Sequence, residues 1–399
     1  MTSEPRSLEL VFFDAGGGHR NAAFALKEVM AERYPHWRVD LVNLQEILEP
    51  IDLYHRVTGH PSQSFYNALL KRGWTLGSLQ MLRALQKGIQ LYSDHIEEVL
   101  RGHWREVEPD LVVSIIPNFN GVMFRALRQV HPAIPYVTVM TDLADCPPHF
   151  WQEKQDQFII CGTDMAAGQA AAAGYPPDRI FQASGMILKP SFYRQSHGDR
   201  RLEREKLGID PDLPTALIMF GGYGATTSAR IVDRLERSGL QLQTIVMCGH
   251  NDKLRAALED RKSCLAVGYT NAVPDYMRLA DFFIGKPGPG SLSEALHLGL
   301  PAIVECNMLT MPQERYNAEW LVEQNLGIVI KDFRQIAGAV ELLLGDGRLE
   351  QFRRNARCLG NRAVYEIPAM LDRIIGAGGV AESAIDAAEG PRRASLIPR

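Results

Sequence analysis

The residues best suited to chemistry lie between Ile284 and Asn317, in the stretch IGKPGPGSLSEALHLGLPAIVECNMLTMPQERYN. An apolar run, Phe282 to Ile284, ends in Gly285, Lys286, Pro287, Gly288, Pro289 and Gly290, and a helical pattern from Ser291 to Leu298 begins at once. A glycine loop feeding a helix start is an anion site, because free backbone N–H groups and the positive end of the helix dipole converge there. Gly288, Pro289, Gly290 and Ser291 would set backbone donors around a diphosphate, and Lys286 would offset part of its charge. Ser291 followed by Glu294 three residues later also fits a capping box, which would make the stretch an ordinary well-terminated helix. Short glycine motifs match by chance, so the spacing alone leaves both readings open.

A second candidate sits near the start of the chain. Leu8 to Phe13 is a short apolar run that reads as a buried strand, and it turns at Asp14 to Gly18. His19, Arg20 and Asn21 then open a helix that runs to about Tyr34, and Arg38 to Leu44 is the next strand. Strand, helix, strand implies a parallel sheet covered on both faces. His19 therefore lands at the carboxyl edge of that sheet, where ligands of open α/β sheets bind. A histidine near its ordinary pKa accepts a proton at neutral pH, so His19 suits a general base. The plainer alternative is a helix-start histidine bonded to backbone.

Further elements must position these groups. Strands are expected at Leu111–Ile116, Tyr136–Met140 and Phe158–Cys161, then at Ala216–Phe220, Leu242–Cys248, Leu265–Tyr269 and Leu300–Val304. Asp142 follows the second of these and faces the same edge, with an N-cap as its expected role. A continuous helix is expected from Leu349 to about Ile375. The pattern predicts an α/β protein of two Rossmann-like, doubly wound halves: residues 1–190 and 200–355, a C-terminal helix over 356–375 and a disordered tail over 376–399. Residues 190–199 read as a linker.

Composition narrows the class. The 399 residues are 46% hydrophobic and 23% charged, with a formal net charge of −4. That balance argues against a nucleic-acid partner, which favours a basic excess. The six cysteines include no CxxC pair and read as reduced thiols in or near the core. The N-terminus lacks the apolar region of a signal peptide, and no apolar run approaches the roughly 20 residues that span a bilayer. Between Leu53 and Ser93 there is no Asp or Glu, while Arg72, Arg83 and other cations alternate with Trp74, Phe65 and long aliphatic residues. Such a stretch suits an anionic membrane surface, or equally a pair of helices packed on the first sheet.

In combination and in order, several segments resemble the GT-B glycosyltransferases. They are Asp14 to Arg20 (DAGGGHR), Met140 to Leu143 (MTDL), Phe220 to Gly224 (FGGYG), Cys248 to Asn251 (CGHN), Val267 to Tyr269 (VGY), Lys286 to Gly290 (KPGPG) and Pro312 to Glu314 (PQE). The resemblance is closer to the group holding monogalactosyldiacylglycerol synthases, processive diacylglycerol glucosyltransferases and MurG, and it covers about residues 8–370. Ala15 departs from the threonine more usual in the plant-type enzymes.

The resemblance implies two domains facing a central cleft and an inverting hexosyltransferase that uses a UDP-sugar, UDP-glucose or UDP-galactose, as co-substrate. It implies His19 as general base and a diacylglycerol or glycosyl-diacylglycerol acceptor. Donor contacts would fall to Gly18, Gly221, Gly222, Val267, Gly268, Lys286, Gly288, Pro289, Gly290, Ser291, Glu294 (ribose), Gln313, Glu314 (sugar hydroxyls) and Asn317. Arg20, Arg72, Trp74, Arg83 and Asp142 would serve the acceptor or the membrane. No metal and no cofactor are implied, since this fold uses a helix dipole where others use a divalent ion. The expected location is cytoplasmic, peripheral on the inner face of the cell membrane. Competing readings are a transferase acting on a soluble or polyprenyl-linked acceptor, a UDP-sugar 2-epimerase, and a non-catalytic sugar-nucleotide binder.

Overall fold

The computed structural model describes residues 6–14, 18–49, 78–195, 198–221 and 224–376. In the first half, β1 (Arg6–Phe12), β2 (Trp37–Asn43), β3 (Leu111–Ser114), β4 (Tyr136–Val139), β5 (Phe158–Cys161) and β6 (Ile180–Gln182) form one parallel sheet in the order β2-β1-β3-β4-β5-β6. Between them run α1 (Gly18–Arg33), α2 (Leu44–Leu48), α3 (Ser78–Leu91), α4 (Ser93–Glu106), α5 (Asn120–Val130) and α6 (Asp164–Ala172). Successive strand residues point to opposite faces. Leu8, Leu10 and Phe12 pack with Leu26 and Met30 of α1, whereas Val11 and Val112 pack with Leu100 and Trp104 of α4. Helices on both faces explain why β3 and β4 are apolar or buried at every position.

The second half repeats the plan. β7 (Thr215–Met219), β8 (Gln243–Gly249), β9 (Cys264–Gly268), β10 (Phe282–Gly285), β11 (Ala302–Glu305) and β12 (Gly327–Ile330) are parallel in the order β12-β11-β10-β7-β8-β9. Its helices are α7 (Arg200–Lys206), α8 (Thr227–Arg237), α9 (Asp252–Leu258), α10 (Val273–Leu279), α11 (Pro289–His297), α12 (Pro312–Glu323), α13 (Ile336–Leu344) and α14 (Arg348–Cys358). β12 goes unread in the sequence because its four residues sit between two helical patterns. It packs so closely that a Cβ on Gly327 would lie 1.9 Å from the Ala302 carbonyl oxygen.

The C-terminal region departs from expectation. Instead of one helix from Leu349 to Ile375, the chain breaks at 359–362, with Gly360 at φ +61°, and α15 (Ala363–Gly376) crosses back to the first half. There Ala363, Val364, Ile367, Leu371 and Ile374 join the core beneath α1. The forward crossing is packed rather than free: Phe192 is 3% exposed, and the Arg278 guanidinium donates to the carbonyls of Ser191, Phe192 and Arg194. Asn361 ties the two crossings together by donating to the Met186 carbonyl at 2.9 Å. All six cysteines are free thiols, and Cys358 is exposed rather than near the core. The expected tail over 377–399 lies outside the described residues. Among the described residues no helix is long and apolar enough to cross a membrane.

Candidate active site

Open α/β sheets bind ligands where neighbouring strands send their connections to opposite sides. In the first sheet that place lies between β1 and β3, and in the second between β7 and β10. The loops after these four strands carry His19, Ile115, Gly221 and Lys286 to Gly290.

His19 occupies the first turn of α1 and is half-buried. Its Nδ1 lies 3.1 Å from the Thr141 hydroxyl, and its ring stands 5.8 Å from the Trp151 ring, centroid to centroid. Burial lowers its pKa to about 4, partly opposed by a hydrogen bond to the Ile115 backbone. The ring is therefore neutral at physiological pH. A neutral imidazole has one donor and one acceptor nitrogen, so one ring nitrogen keeps a lone pair that can take a proton.

Asp142 follows Thr141 and does not cap a helix, because residues 141–149 are irregular. Its carboxyl is 6% exposed and accepts the Trp151 indole N–H at 2.8 Å. Burial raises it to about 7. The indole opposes that rise, and two groups of the second half act on it in opposite senses, Glu314 raising it and Lys286 lowering it. The carboxyl edge of the first sheet thus lies within electrostatic reach of Lys286 and Glu314.

Those two residues form an ion pair, Lys286 Nζ to Glu314 Oε1 at 2.7 Å, with Glu314 buried and Lys286 half-exposed. The pair lies against the glycine loop: a Cβ on Gly288 would sit 3.3 Å from Lys286 Cε and 3.4 Å from Glu314 Oε1. Lys286 therefore stands between the loop and a carboxylate, not alone as an anion-binding ammonium.

The capping box is overturned. α11 starts at Pro289 with Gly288 as its cap, and no side chain caps it. Ser291 is already inside the first turn, so the amides of Gly290 and Ser291 are left for an outside acceptor. Glu294, one turn on, is half-buried; burial raises it to about 7, opposed by Lys189. Asn317 also departs from expectation. It is fully buried, and its amide donates to the Pro287 carbonyl at 2.7 Å. It braces the loop from behind through its amide, while its Oδ1 has no partner among the described residues.

Of the remaining donor candidates, Gly18, Gly221 and Gly290 have no atom of another described residue within 4 Å of where a Cβ would stand, chain neighbours and the helix backbone aside. Gly221 has φ +83°, which favours glycine. Val267 is 8% exposed within the second core, so only its backbone is presented, and Gly268 ends β9 beside Arg255. Gln313 lies half-buried in the first turn of α12. Arg20 is exposed and paired with Asp14 at 3.3 Å. Gly222, Arg72 and Trp74 lie outside the described residues. Arg83 is exposed on α3, whose Leu82 and Ile89 are turned into the first half, so this part of the acid-free stretch is packed on one side.

Three groups escaped the sequence reading. Thr141 and Trp151 position His19 and Asp142, and the His250 ring stacks on Tyr269 at 4.0 Å and 17° at the edge of β8 and β9. Thr141 and the stacked pair lie inside the MTDL, CGHN and VGY segments, whereas Trp151 has no sequence signal. Among the described residues no three His, Cys, Asp or Glu side chains converge to hold a metal ion.

Comparison with known proteins follows the two halves. Residues 19–185 match the profile described as monogalactosyldiacylglycerol (MGDG) synthase, and residues 216–344 match the glycosyltransferase family 28 C-terminal domain. The monogalactosyldiacylglycerol synthase, chloroplastic, of Spinacia oleracea is 30% identical over 396 residues, covering 93% of this chain and 73% of that protein. Among solved structures, MurG of Acinetobacter baumannii superposes with a TM-score of 0.59 at 11% identity, covering 92% of this chain and all of the other. Anabaena Alr3699/HepE in complex with UDP gives 0.54 at 17% identity, covering 93% of this chain and all of the other. At these identities the structures show a shared fold, the two-domain GT-B arrangement.

Proposed function

Since the chain belongs to the monogalactosyldiacylglycerol synthase family of glycosyltransferases, we propose that it moves a hexose from UDP-galactose or UDP-glucose to diacylglycerol, or to a glycosyl-diacylglycerol, at a membrane surface. The observation that carries this reading is that Asp142, next to the Thr141 that touches His19, lies within electrostatic reach of the Lys286–Glu314 pair, which borders the uncapped start of α11. In the reaction, the lone pair of the His19 ring takes the proton of the acceptor hydroxyl while the hydroxyl oxygen bonds to the anomeric carbon. The bond from that carbon to the diphosphate oxygen breaks on the opposite face, which inverts the centre. The leaving UDP then rests on the amides of Gly290 and Ser291 and on Lys286, donors whose positions are set before charge develops. Freed from Lys286, Glu314 accepts hydroxyls of the sugar, with Gln313 beside it. The names of the relatives support the lipid acceptor and the HepE complex supports the nucleotide.

The test is incubation with radiolabelled UDP-galactose and UDP-glucose and detergent-solubilised diacylglycerol, followed by chromatography of the organic phase. A labelled glycolipid is expected. His19→Ala should lower turnover by about 10²–10⁴-fold and leave UDP binding intact. Wild-type protein that binds UDP and transfers nothing overturns the reading in favour of a nucleotide binder, and label in a water-soluble product shifts it to a soluble acceptor.

A further inference from the structure

The loop between β11 and α12 ends in an apolar tip. Met308 is 90% exposed, more than any other large hydrophobic side chain among the described residues, and Leu309 beside it is 49% exposed. The loop is not slack. The Asn307 N–H donates to the Thr310 hydroxyl at 2.9 Å, the Leu309 N–H to Asn307 Oδ1 at 2.8 Å, and the Asn307 side-chain amide to the Lys331 carbonyl at 3.0 Å. The Arg315 guanidinium holds the carbonyls of Met308 and Thr310, each at 3.1 Å. Ordering a loop by its own polar groups while holding two apolar side chains in water is unfavourable for the isolated chain, which points to an apolar partner.

We propose that Met308 and Leu309 form a membrane-inserting tip, by which the second half touches the bilayer. This rests on the membrane-surface reading above and adds a contact that the acid-free stretch of the first half does not include. The tip precedes Gln313 and Glu314 by a few residues, on the loop that leads into α12. Two side chains on a protrusion offer far less than the roughly 800 Å² per partner of a stable protein interface. A bilayer needs no matching surface and accepts such a tip at the level of its headgroups. Arg315 under the tip and the exposed Lys331 beside it suit anionic headgroups, while Asp332 is paired with Arg334 at 2.9 Å. Glu319, further along α12, works against them, so the anchorage is apolar first and electrostatic second.

Flotation with vesicles of phosphatidylcholine, phosphatidylglycerol and diacylglycerol tests the proposal. The double variant Met308→Gln with Leu309→Asn should partition onto vesicles at least about tenfold more weakly than wild type. Its transfer to diacylglycerol in detergent micelles should be unchanged. Met308→Trp should gain blue-shifted emission on vesicles, quenched by lipids brominated on their acyl chains. Equal partitioning of the double variant and wild type, or Met308→Trp emission indifferent to vesicles, overturns the proposal. So does a lipid-free wild type that sediments as a dimer and a double variant that sediments as a monomer, since the tip would then join copies of the chain. Wild type that inserts its tip yet transfers no sugar in micelles overturns the functional reading and leaves the tip standing.

Discussion

Asp142 sits in a setting far from that of a free side chain. Its carboxyl, raised to about 7 chiefly by burial, binds its proton more tightly in the folded state than in the unfolded chain, where the ordinary value is 3.8. The folded state then holds more protons than the unfolded state between these values, so stability falls as pH rises from about 4 to about 7. Asp142→Asn keeps the acceptor for the Trp151 indole and removes the ionisation. The variant should match wild type near pH 4 and be more stable at pH 8, by no more than about 4 kcal/mol. Urea unfolding at the two pH values checks this, and an equal gap at both would refute it.

Two kinds of support hold the glycine loops at the level of elements. The loop after β10 is braced by Asn317, whose amide holds the Pro287 carbonyl while its own Oδ1 is buried without a partner among the described residues. Asn317→Ala should cost about 1–3 kcal/mol by leaving that carbonyl unsatisfied. It should raise the KM for the donor more than it lowers kcat, because the anion-binding amides move while His19 does not. The loop after β7 depends on Gly224, which has φ +59° and would place a Cβ 2.3 Å from the Cys248 carbonyl oxygen. Gly224→Ala should cost at least about 1–3 kcal/mol from backbone strain, measured by thermal unfolding. Gly221→Ala, at φ +83° but with no other described residue within 4 Å of the added Cβ, should be the milder of the two in stability.

The whole molecule is closed by α15. Leu371 is fully buried and belongs to the core of the first half, although it lies at the far end of the chain. Leu371→Ala should destabilise by about 2–5 kcal/mol. The loss should appear in the unfolding of the first half, which chemical denaturation followed by hydrogen exchange would locate. The two crossings are tied at Asn361 and at Ser184, whose N–H donates to Glu366 at 2.7 Å and whose hydroxyl accepts the Arg362 N–H at 2.7 Å. A small crevice of about 50 Å³ lies between the halves there, lined by Gly162, Gly185, Ser293, Trp320 and Asn361 among others.

The strand runs, glycine loops and helix starts were legible because they depend on neighbours in sequence: an apolar run, a residue without a Cβ, a period of 2 or 3.6. Those local rules determined two parallel α/β halves and put His19 and Gly288 to Ser291 at sheet edges. They failed where partners come from far along the chain. The capping box at Ser291 was a sound local pattern, but Pro289 started the helix two residues earlier and left its amides open. Asn317 read as a donor contact, but the bond from its amide to the Pro287 carbonyl had no sequence signal, and Asp142 looked like a cap until Trp151 buried it. Which polar groups lose their water, and which charge stands opposite them, is decided by contacts between separate elements, and only the tertiary structure supplies those.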